Sequence, residues 1–368
     1  MSTARVLIVD DENGMLRSAE RVLGRDYRVV TSRSPIEAIP LAKEFKPDLA
    51  ILDIQMPGMD GFELMEKLRE QDQEMDFILM TGSIHELDAK LIQAIRKKAF
   101  YFLQKPFDRE VLQTLVERCL TLRRLDLENR SHVLRMEKEL AEARAFQQSL
   151  LPPEQARIGA LTVNARYIPY AELAGDFYDY ALKSDSATLL VADVSGHGAS
   201  AAMLTGVVKS AFHAANAEYY EPAAVVTRVS NGIRAFSPHH FVTMICIRIR
   251  QGMLDFVNAG HPAGIVWGRD SNPRLLESTG SLISPAFEWD WEQHSIPVQA
   301  GDRVLLLSDG ITDVESETGT YGFDRIVVDA VNSRDNGSVL LDRIVNSLRQ
   351  FSGGRPFHDD LTMVLAEL

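Results

Sequence analysis

The sequence predicts a parallel α/β sheet domain, then a long helix, then a domain of stacked sheets with helical layers. Three observations carry this. Short apolar runs alternate with amphipathic segments over residues 1 to about 120, the pattern of a parallel sheet crossed by helices. Residues 111–151 contain neither Gly nor Pro and are dense in charge, which reads as one helix. From residue 153 onward, many strand-like runs mix with a few helical ones.

In the first segment, Val6 to Val9, Leu49 to Leu52, Phe77 to Met80 and Phe100 to Leu103 read as strands. Leu16 to Leu23, Ile36 to Phe45, Phe62 to Leu68 and Leu87 to Ile95 read as the helices between them. Each strand delivers a polar residue to its carboxyl end: Asp10 and Asp11, Asp53, Thr81, and Lys105 before Pro106. Ligands bind beyond those ends in such sheets. Three carboxylates (Asp10, Asp11, Asp53) can share one Mg²⁺, and one of them can act as a nucleophile toward a phosphoryl group. The Thr81 hydroxyl and the Lys105 ammonium can pair with phosphoryl oxygens.

Together with Asp53-Ile54-Gln55-Met56-Pro57-Gly58-Met59-Asp60-Gly61 and Lys105-Pro106-Phe107, these residues resemble the receiver domain of bacterial response regulators. The resemblance implies a CheY-like, doubly wound parallel sheet. It implies Asp53 as the phosphoacceptor, charged by a histidine kinase, with Asp10 and Asp11 holding Mg²⁺. Thr81 and Phe102 would be the switch pair. Phe102 stands where the family commonly has tyrosine, and it also reads as a core residue.

The helix after this segment carries Leu115, Leu122, Asn129, Met136, Ala143 and Leu150 on a seven-residue step, with Leu125, His132 and Phe146 on the offset step. That is a two-stranded coiled-coil seam, with Asn129 at a register-setting position, and it predicts a homodimer. A second stripe, Leu120, Leu127, Leu134 and Ala141, competes with it, and the alternative is a helix packed on a domain. His132 reads as a seam or surface residue rather than a ligand. Pro152-Pro153 stops the helix. The expected organisation is therefore 1–120, 121–152 and 153–368.

In the last segment, strands are expected at Leu161 to Tyr167, Phe177 to Leu182, Leu189 to Ala192, Gly264 to Trp267, Arg303 to Leu307 and Leu361 to Ala366. Phe241 to Arg250 and Met253 to Asn258 read as a hairpin across Gln251-Gly252. Helices are expected at Ala199 to Ala215, Pro222 to Phe236, Asp324 to Val331 and Val339 to Phe351. Acids recur at strand ends: Asp176, Asp193, Asp309 and the pair Asp359-Asp360. Glycine accompanies three of these sites. Carboxylates packed together repel unless cations lie among them. Two divalent ions would relieve that and form a hydrolytic site, and all-oxygen ligands favour Mg²⁺ or Mn²⁺ over zinc. At Asp193, small residues at Ser195, Gly196 and Gly198 let the backbone approach, so the Val194 carbonyl can ligate beside the carboxylate.

The ordered series Gln148-Ser149-Leu150-Leu151-Pro152, Gly175-Asp176-Phe177-Tyr178-Asp179, Asp193-Val194-Ser195-Gly196-His197-Gly198, Asn258-Ala259-Gly260-His261-Pro262, Ser308-Asp309-Gly310 and Asp359-Asp360-Leu361-Thr362 resembles PPM-type Ser/Thr phosphatases of the SpoIIE and RsbU kind. The resemblance implies an α+β domain with a central β-sandwich flanked by helices. It implies Asp176, Asp193, Asp309, Asp359 and the Val194 carbonyl as ligands of two Mn²⁺ or Mg²⁺ ions, with Asp193 bridging. Asp360 and Asp179 would support the ligands. His197 and His261 read either as orienting substrate or water or as structural histidines. Thr279-Gly280-Ser281-Leu282-Ile283-Ser284 departs from the family's Gly-x-Pro-Leu-Gly loop without removing a ligand.

The net charge of −13 argues against nucleic acid or an anionic membrane as partner. Two isolated cysteines, Cys119 and Cys246, fit a reducing cytoplasm, and no run is long enough to span a bilayer. The expected function is a two-component response regulator whose output is a metal-dependent Ser/Thr protein phosphatase. The resemblance implies a phosphorylated STAS-type anti-sigma-factor antagonist as substrate, in a partner-switching circuit. The alternatives are a catalytically dead scaffold under receiver control and a hydrolase for a small phosphorylated metabolite.

Overall fold

A computed structural model describes residues 3–82, 101–183, 185–196, 198–234, 240–268, 272–286, 289–317 and 319–368. The chain divides into two units, Met1–Met136 and Glu137–Leu368.

In the first unit, β1 (Arg5–Val9), β2 (Arg28–Ser32), β3 (Leu49–Asp53), β4 (Asp76–Thr81) and β5 (Tyr101–Gln104) form a parallel sheet ordered β2-β1-β3-β4-β5. Strands β1, β3 and β4 are near-continuous apolar runs because both faces of the sheet are covered. Helices α2 (Pro35–Phe45) and α3 (Gly61–Gln71) cover one face through Ala38, Ala42, Leu64 and Leu68. Helix α1 (Asn13–Leu23) and the start of α4 (Arg109–Leu150) cover the other through Leu16, Val22, Leu112 and Val116. This is the doubly wound arrangement the sequence predicts. Strand order reverses at β1, so the carboxyl ends of β1 and β3 flank the crevice where such sheets bind ligands. Strand β2 was not among the expected elements. It lies at the sheet edge, and Arg28-Val29-Val30-Thr31-Ser32 lacks the buried apolar run that marks the inner strands. The helix expected at Leu87 to Ile95 falls outside the described residues.

Helix α4 is 42 residues long, matching the stretch without Gly or Pro. Leu122, Leu125, Met136 and Phe146 of the expected seam are exposed, as are Leu127 and Leu134 of the competing stripe. Among the described residues, no helix is long and apolar enough to cross a membrane.

The second unit stacks two antiparallel sheets. One is ordered β14-β11-β10-β9-β8, from β8 (Asp176–Lys183), β9 (Ser186–Val194), β10 (Val242–Arg250), β11 (Met253–Ala259) and β14 (His294–Pro297). The other is ordered β13-β12-β15-β18-β7-β6, from β6 (Gln155–Ile158), β7 (Leu161–Ile168), β12 (Gly264–Trp267), β13 (Arg274–Leu276), β15 (Arg303–Leu307) and β18 (Leu361–Glu367). A small hairpin, β16 (Glu315–Ser316) with β17 (Gly319–Thr320), stands apart. Side-chain alternation splits each strand between two cores. Tyr178, Leu189, Val191, Ile245 and Ile247 meet Val163, Val304, Leu306 and Val364 between the sheets. Phe177, Leu190, Ala192 and Met244 face α5 (Ala199–Ala214) and α6 (Pro222–Ile233). Leu305, Leu307, Met363 and Leu365 face α8 (Phe323–Val331) and α9 (Gly337–Phe351), with the one-turn helix α7 (Asp309–Thr312) capping β15. The unit is a β-sandwich between helical layers. The β10–β11 hairpin turns at Gln251 and Gly252, with φ of 48° and 73°, the left-handed pair that matches strand twist.

One close approach gives a stability prediction. A Cβ on Gly61 would lie 2.3 Å from the Asp53 carbonyl oxygen, whereas one on Gly14 meets nothing within 4 Å. Gly61→Ala should lower stability by about 1–3 kcal/mol, and Gly14→Ala should change it by less than about 1 kcal/mol in either direction. Urea denaturation of the two variants checks this. Equal effects would contradict the packing described here.

Candidate functional site

At the carboxyl edge of the parallel sheet, ligand oxygens of Asp10, Asp11 and Asp53 all lie within 4.8 Å of one another. Asp10 is fully buried and Asp53 nearly so. Lys105 Nζ lies 3.0 Å from Asp53 Oδ2 and 2.6 Å from Asp10 Oδ2. The Asp10 contact is a close ion pair. Burial raises the Asp53 carboxyl above its usual range, against the opposing pull of Lys105. Burial alone would lower Lys105, but its bonds to Asp10 and Asp53 hold it above its ordinary value. The pocket thus has a cation paired to two of three acids and an excess of negative charge. Thr81, buried, ends β4 beside this group. Phe102 pairs in register with Leu79 and packs against the α2–α3 core.

In the sandwich, Asp176 starts β8 and Asp193 lies near the end of β9, directly opposite each other in register. Parity places both on the side facing the second sheet. From that sheet come Asp309, first residue of α7, and Asp359, just ahead of β18. Their charges are linked in series, Asp176 to Asp193, Asp193 to Asp309 and Asp359, and Asp309 to Asp359, whereas among the described residues three ligand oxygens lie within 4.8 Å of one another only in the Asp10, Asp11 and Asp53 group. Burial first, then the charges of Asp309, Asp359 and Asp360, push Asp193 up to about 7. Burial and Asp193 hold Asp176 well above the carboxylate range, against hydrogen bonds from Ser308 and Thr362. Burial and Asp359 raise Asp309. Like charges held together with little solvent are strained until a cation joins them.

The backbone around these acids is tightly fitted. Asp360, buried, accepts from the N–H groups of Tyr170 at 2.8 Å, Gly175 at 2.8 Å and Asp176 at 3.3 Å. It therefore fixes the turn that leads into β8. A Cβ on Gly175 would fall 2.6 Å from the Val194 carbonyl oxygen, 3.0 Å from that of Gly196 and 3.4 Å from Asp193 Oδ1. A Cβ on Gly310 would strike the Asp360 carbonyl oxygen at 2.1 Å, so glycine there lets α7 approach β18. Asp179 lies elsewhere: it accepts from Lys209 and His213 of α5, each at 3.0 Å. Being three residues along the strand, it points to the opposite face from Asp176. His261 lies in the crossover between the sheets, 5% exposed. His197 is outside the described residues.

Two participants escaped sequence reasoning. Gln147, near the end of α4, is buried and clamps Ala174: its Nε2 donates to the Ala174 carbonyl at 2.7 Å, and its Oε1 accepts from the Ala174 N–H at 3.1 Å. Nothing in a charged helix marks that one glutamine until the domain is packed on it. Thr243 stands opposite Asp193 across the β9–β10 pair, which only strand register reveals.

Comparison with known proteins follows this division. Residues 183–368 match the family described as stage II sporulation protein E (SpoIIE), and residues 6–117 match the response regulator receiver domain. Phosphoserine phosphatase RsbU of Bacillus subtilis is 24% identical over 237 residues, covering 62% of this chain and 70% of that protein. The C4-dicarboxylate transport transcriptional regulatory protein DctD of Pseudomonas aeruginosa is 36% identical over 128 residues, 34% of this chain and 27% of that regulator. Among solved structures, the SiaA-PP2C domain of Pseudomonas aeruginosa matches with a TM-score of 0.58 at 20% identity, over 64% of this chain and 98% of that domain, a likeness of fold.

The raised acids set a pH dependence. In the fold Asp193 keeps its proton up to about 7, whereas an unfolded Asp releases it near pH 4. Between those values the folded state binds more protons, so stability of the metal-free chain should fall as pH rises through that window. Asp53, Asp176 and Asp309 act in the same direction. Asp193→Asn should flatten the slope. Thermal unfolding in chelator across the window measures it, and an unchanged slope in the variant would contradict the assignment.

Proposed function

The chain belongs to the SpoIIE family and carries a response-regulator receiver domain, and from that premise we propose a phosphorylation-controlled, metal-dependent Ser/Thr protein phosphatase. The observation that carries the proposal is the coupling of Asp193 to Asp309 and Asp359, acids supplied by two different sheets. Asp176, Asp193, Asp309, Asp359 and the Val194 carbonyl would hold two Mn²⁺ or Mg²⁺ ions. The donor set fits: it is all oxygen, it carries excess negative charge, and at Gly175 the backbone leaves no room for a side chain. Bound cations would supply an acidified water and offset phosphoryl charge. The chain's own part is to hold the acids apart from solvent and in register. Asp360 does this through three backbone N–H groups, and Ser308 and Thr362 by hydrogen-bonding to Asp176.

In the receiver, Asp10, Asp11 and Asp53 would share one Mg²⁺. The Asp53 carboxylate would attack a phosphoryl group carried by a histidine kinase, forming a P–O bond as the P–N bond breaks. Lys105 and Thr81 would pair with the phosphoryl oxygens, and Thr81 with Phe102 would report the change. The signal would pass along α4, whose first turns pack in the receiver core and whose last turns clamp Ala174, two residues before Asp176. The substrate would be phosphoserine or phosphothreonine on a STAS-type anti-sigma antagonist. RsbU, itself a phosphoserine phosphatase by name, supports the first part of this. Removing a phosphate there changes charge at an interface and hence partner choice. The exposed Leu122, Leu125, Met136 and Phe146 fit a second copy of the same helix.

Hydrolysis of a phosphoserine peptide with Mn²⁺, before and after phosphorylation of Asp53 by a small phosphodonor, tests the proposal. Asp193→Ala should reduce turnover by about 100-fold or more without unfolding the chain. Asp53→Ala should abolish the difference that the phosphodonor makes, and Gln147→Ala should shrink it. Wild-type turnover in Asp193→Ala would refute the metal site. Absence of turnover from the wild-type chain with either metal, phosphorylated or not, would favour a binding scaffold. Sedimentation of the phosphorylated chain should show a dimer that Leu125→Glu weakens, and a monomer at high concentration would rule the seam out.

A further inference from the structure

Strand β11 ends at Ala259, and the chain crosses to the other sheet through Gly260, His261 and Pro262 before β12 begins. Asn258, fully buried, shapes this crossover. Its Oδ1 accepts from the His261 N–H at 2.8 Å, and its Nδ2 donates to the Leu276 carbonyl at 3.0 Å. The His261 ring is thereby directed inward, where its Nδ1 lies 2.8 Å from Thr243 Oγ1. Burial lowers the imidazole to about 3, with the Leu307 carbonyl pulling weakly the other way. The ring is therefore neutral at physiological pH and carries a single N–H.

The partners decide which nitrogen carries it. Nε2 has no partner at full hydrogen-bond geometry among the described residues, and the carbonyl bearing on the ring is that of Leu307. A carbonyl only accepts, so it favours the tautomer with the proton on Nε2, the nitrogen that Thr243 does not engage. Nδ1 is then an acceptor, and the Thr243 hydroxyl donates to it.

Thr243 is the register partner of Asp193. Leu189 and Val191 of β9, and Ile245 and Ile247 of β10, face the inter-sheet core, and positions 193 and 243 share their parity. Directly opposed residues have Cβ atoms about 4.5–5.5 Å apart. The Thr243 hydroxyl thus lies across the strand pair from Asp193, the carboxylate that couples to Asp309 and Asp359, with its proton turned toward His261.

We propose that His261 is a positioning residue for the acid pocket: by accepting the hydrogen bond of the Thr243 hydroxyl at Nδ1 it leaves the Thr243 oxygen to act as an acceptor on the Asp193 side, where Thr243 orients a water held among the acidic side chains. The inference rests on the hydrolase reading above. It assigns a chemical reason for histidine at a site too buried to touch a protein substrate, and for a hydroxyl at the register position opposite Asp193.

The experiment uses the full chain and four variants. Thr243→Val and His261→Leu should each lower kcat on a phosphoserine peptide roughly 10- to 100-fold, with KM and calorimetric Mn²⁺ affinity within about twofold of wild type. Thr243→Ser, which keeps the hydroxyl, and His261→Asn, which places a carbonyl near the Nδ1 position, should recover most of the loss. The Thr243→Val/His261→Leu double variant should be no worse than the poorer single one, as for residues acting in one chain of contact. In ¹⁵N-histidine-labelled, metal-free protein, two-bond ¹H–¹⁵N spectra should show His261 as the Nε2–H tautomer, and Thr243→Val should shift its Nδ1 resonance. An Nδ1–H tautomer, additive losses, or wild-type kcat in both variants would overturn this proposal while leaving the hydrolase reading in place. A wild-type chain without turnover on any phosphoester would overturn both.

Discussion

Repulsion among carboxylates that the fold will not let apart is the constraint on which the second unit turns. Burial first, and then the charges of Asp309 and Asp359, keep Asp193 from ionising cheaply, and Asp176 is deeper still. Such an arrangement works against stability. A protein tolerates it where the acids have a task and a compensating cation. The receiver pocket obeys the same logic on a smaller scale. There Lys105 neutralises part of an excess of charge shared by Asp10, Asp11 and Asp53.

The two units meet that constraint with different architecture. In the parallel sheet, acids collect because strand order reverses at β1, so β1 and β3 end side by side. In the sandwich, acids come from both sheets and must be brought across the inter-sheet gap. Glycine at 175 and 310 allows the close backbone approach. Asp360 contributes through its hydrogen bonds: it accepts from backbone N–H groups that precede and include Asp176. Gln147 adds a clamp on the same turn from the end of α4. The start of β8 is therefore held from two sides.

Much of this was legible in the residue order, and the exceptions have physical causes. Buried strands such as Leu49 to Leu52 and Arg303 to Leu307 announce themselves as apolar runs, and an uninterrupted helix is plain where Gly and Pro are missing. Strand β2 was missed because an edge strand need not be apolar. Asp179 and Asp176 look equivalent in Gly175-Asp176-Phe177-Tyr178-Asp179, yet an odd spacing along a strand sends them to opposite faces. Thr243 and Gln147 carry no local signature, because their meaning comes from register and from packing between distant segments.

On the function proposed above, Asp176, Asp193, Asp309 and Asp359 would enclose two divalent cations. Anomalous diffraction at the manganese edge from crystals grown with Mn²⁺ tests it most directly. Two peaks are expected in the C-terminal unit, within ligand distance of the Asp176, Asp193, Asp309 and Asp359 side chains. A fully ordered acid pocket at saturating Mn²⁺ with no peak beside Asp193 would contradict it.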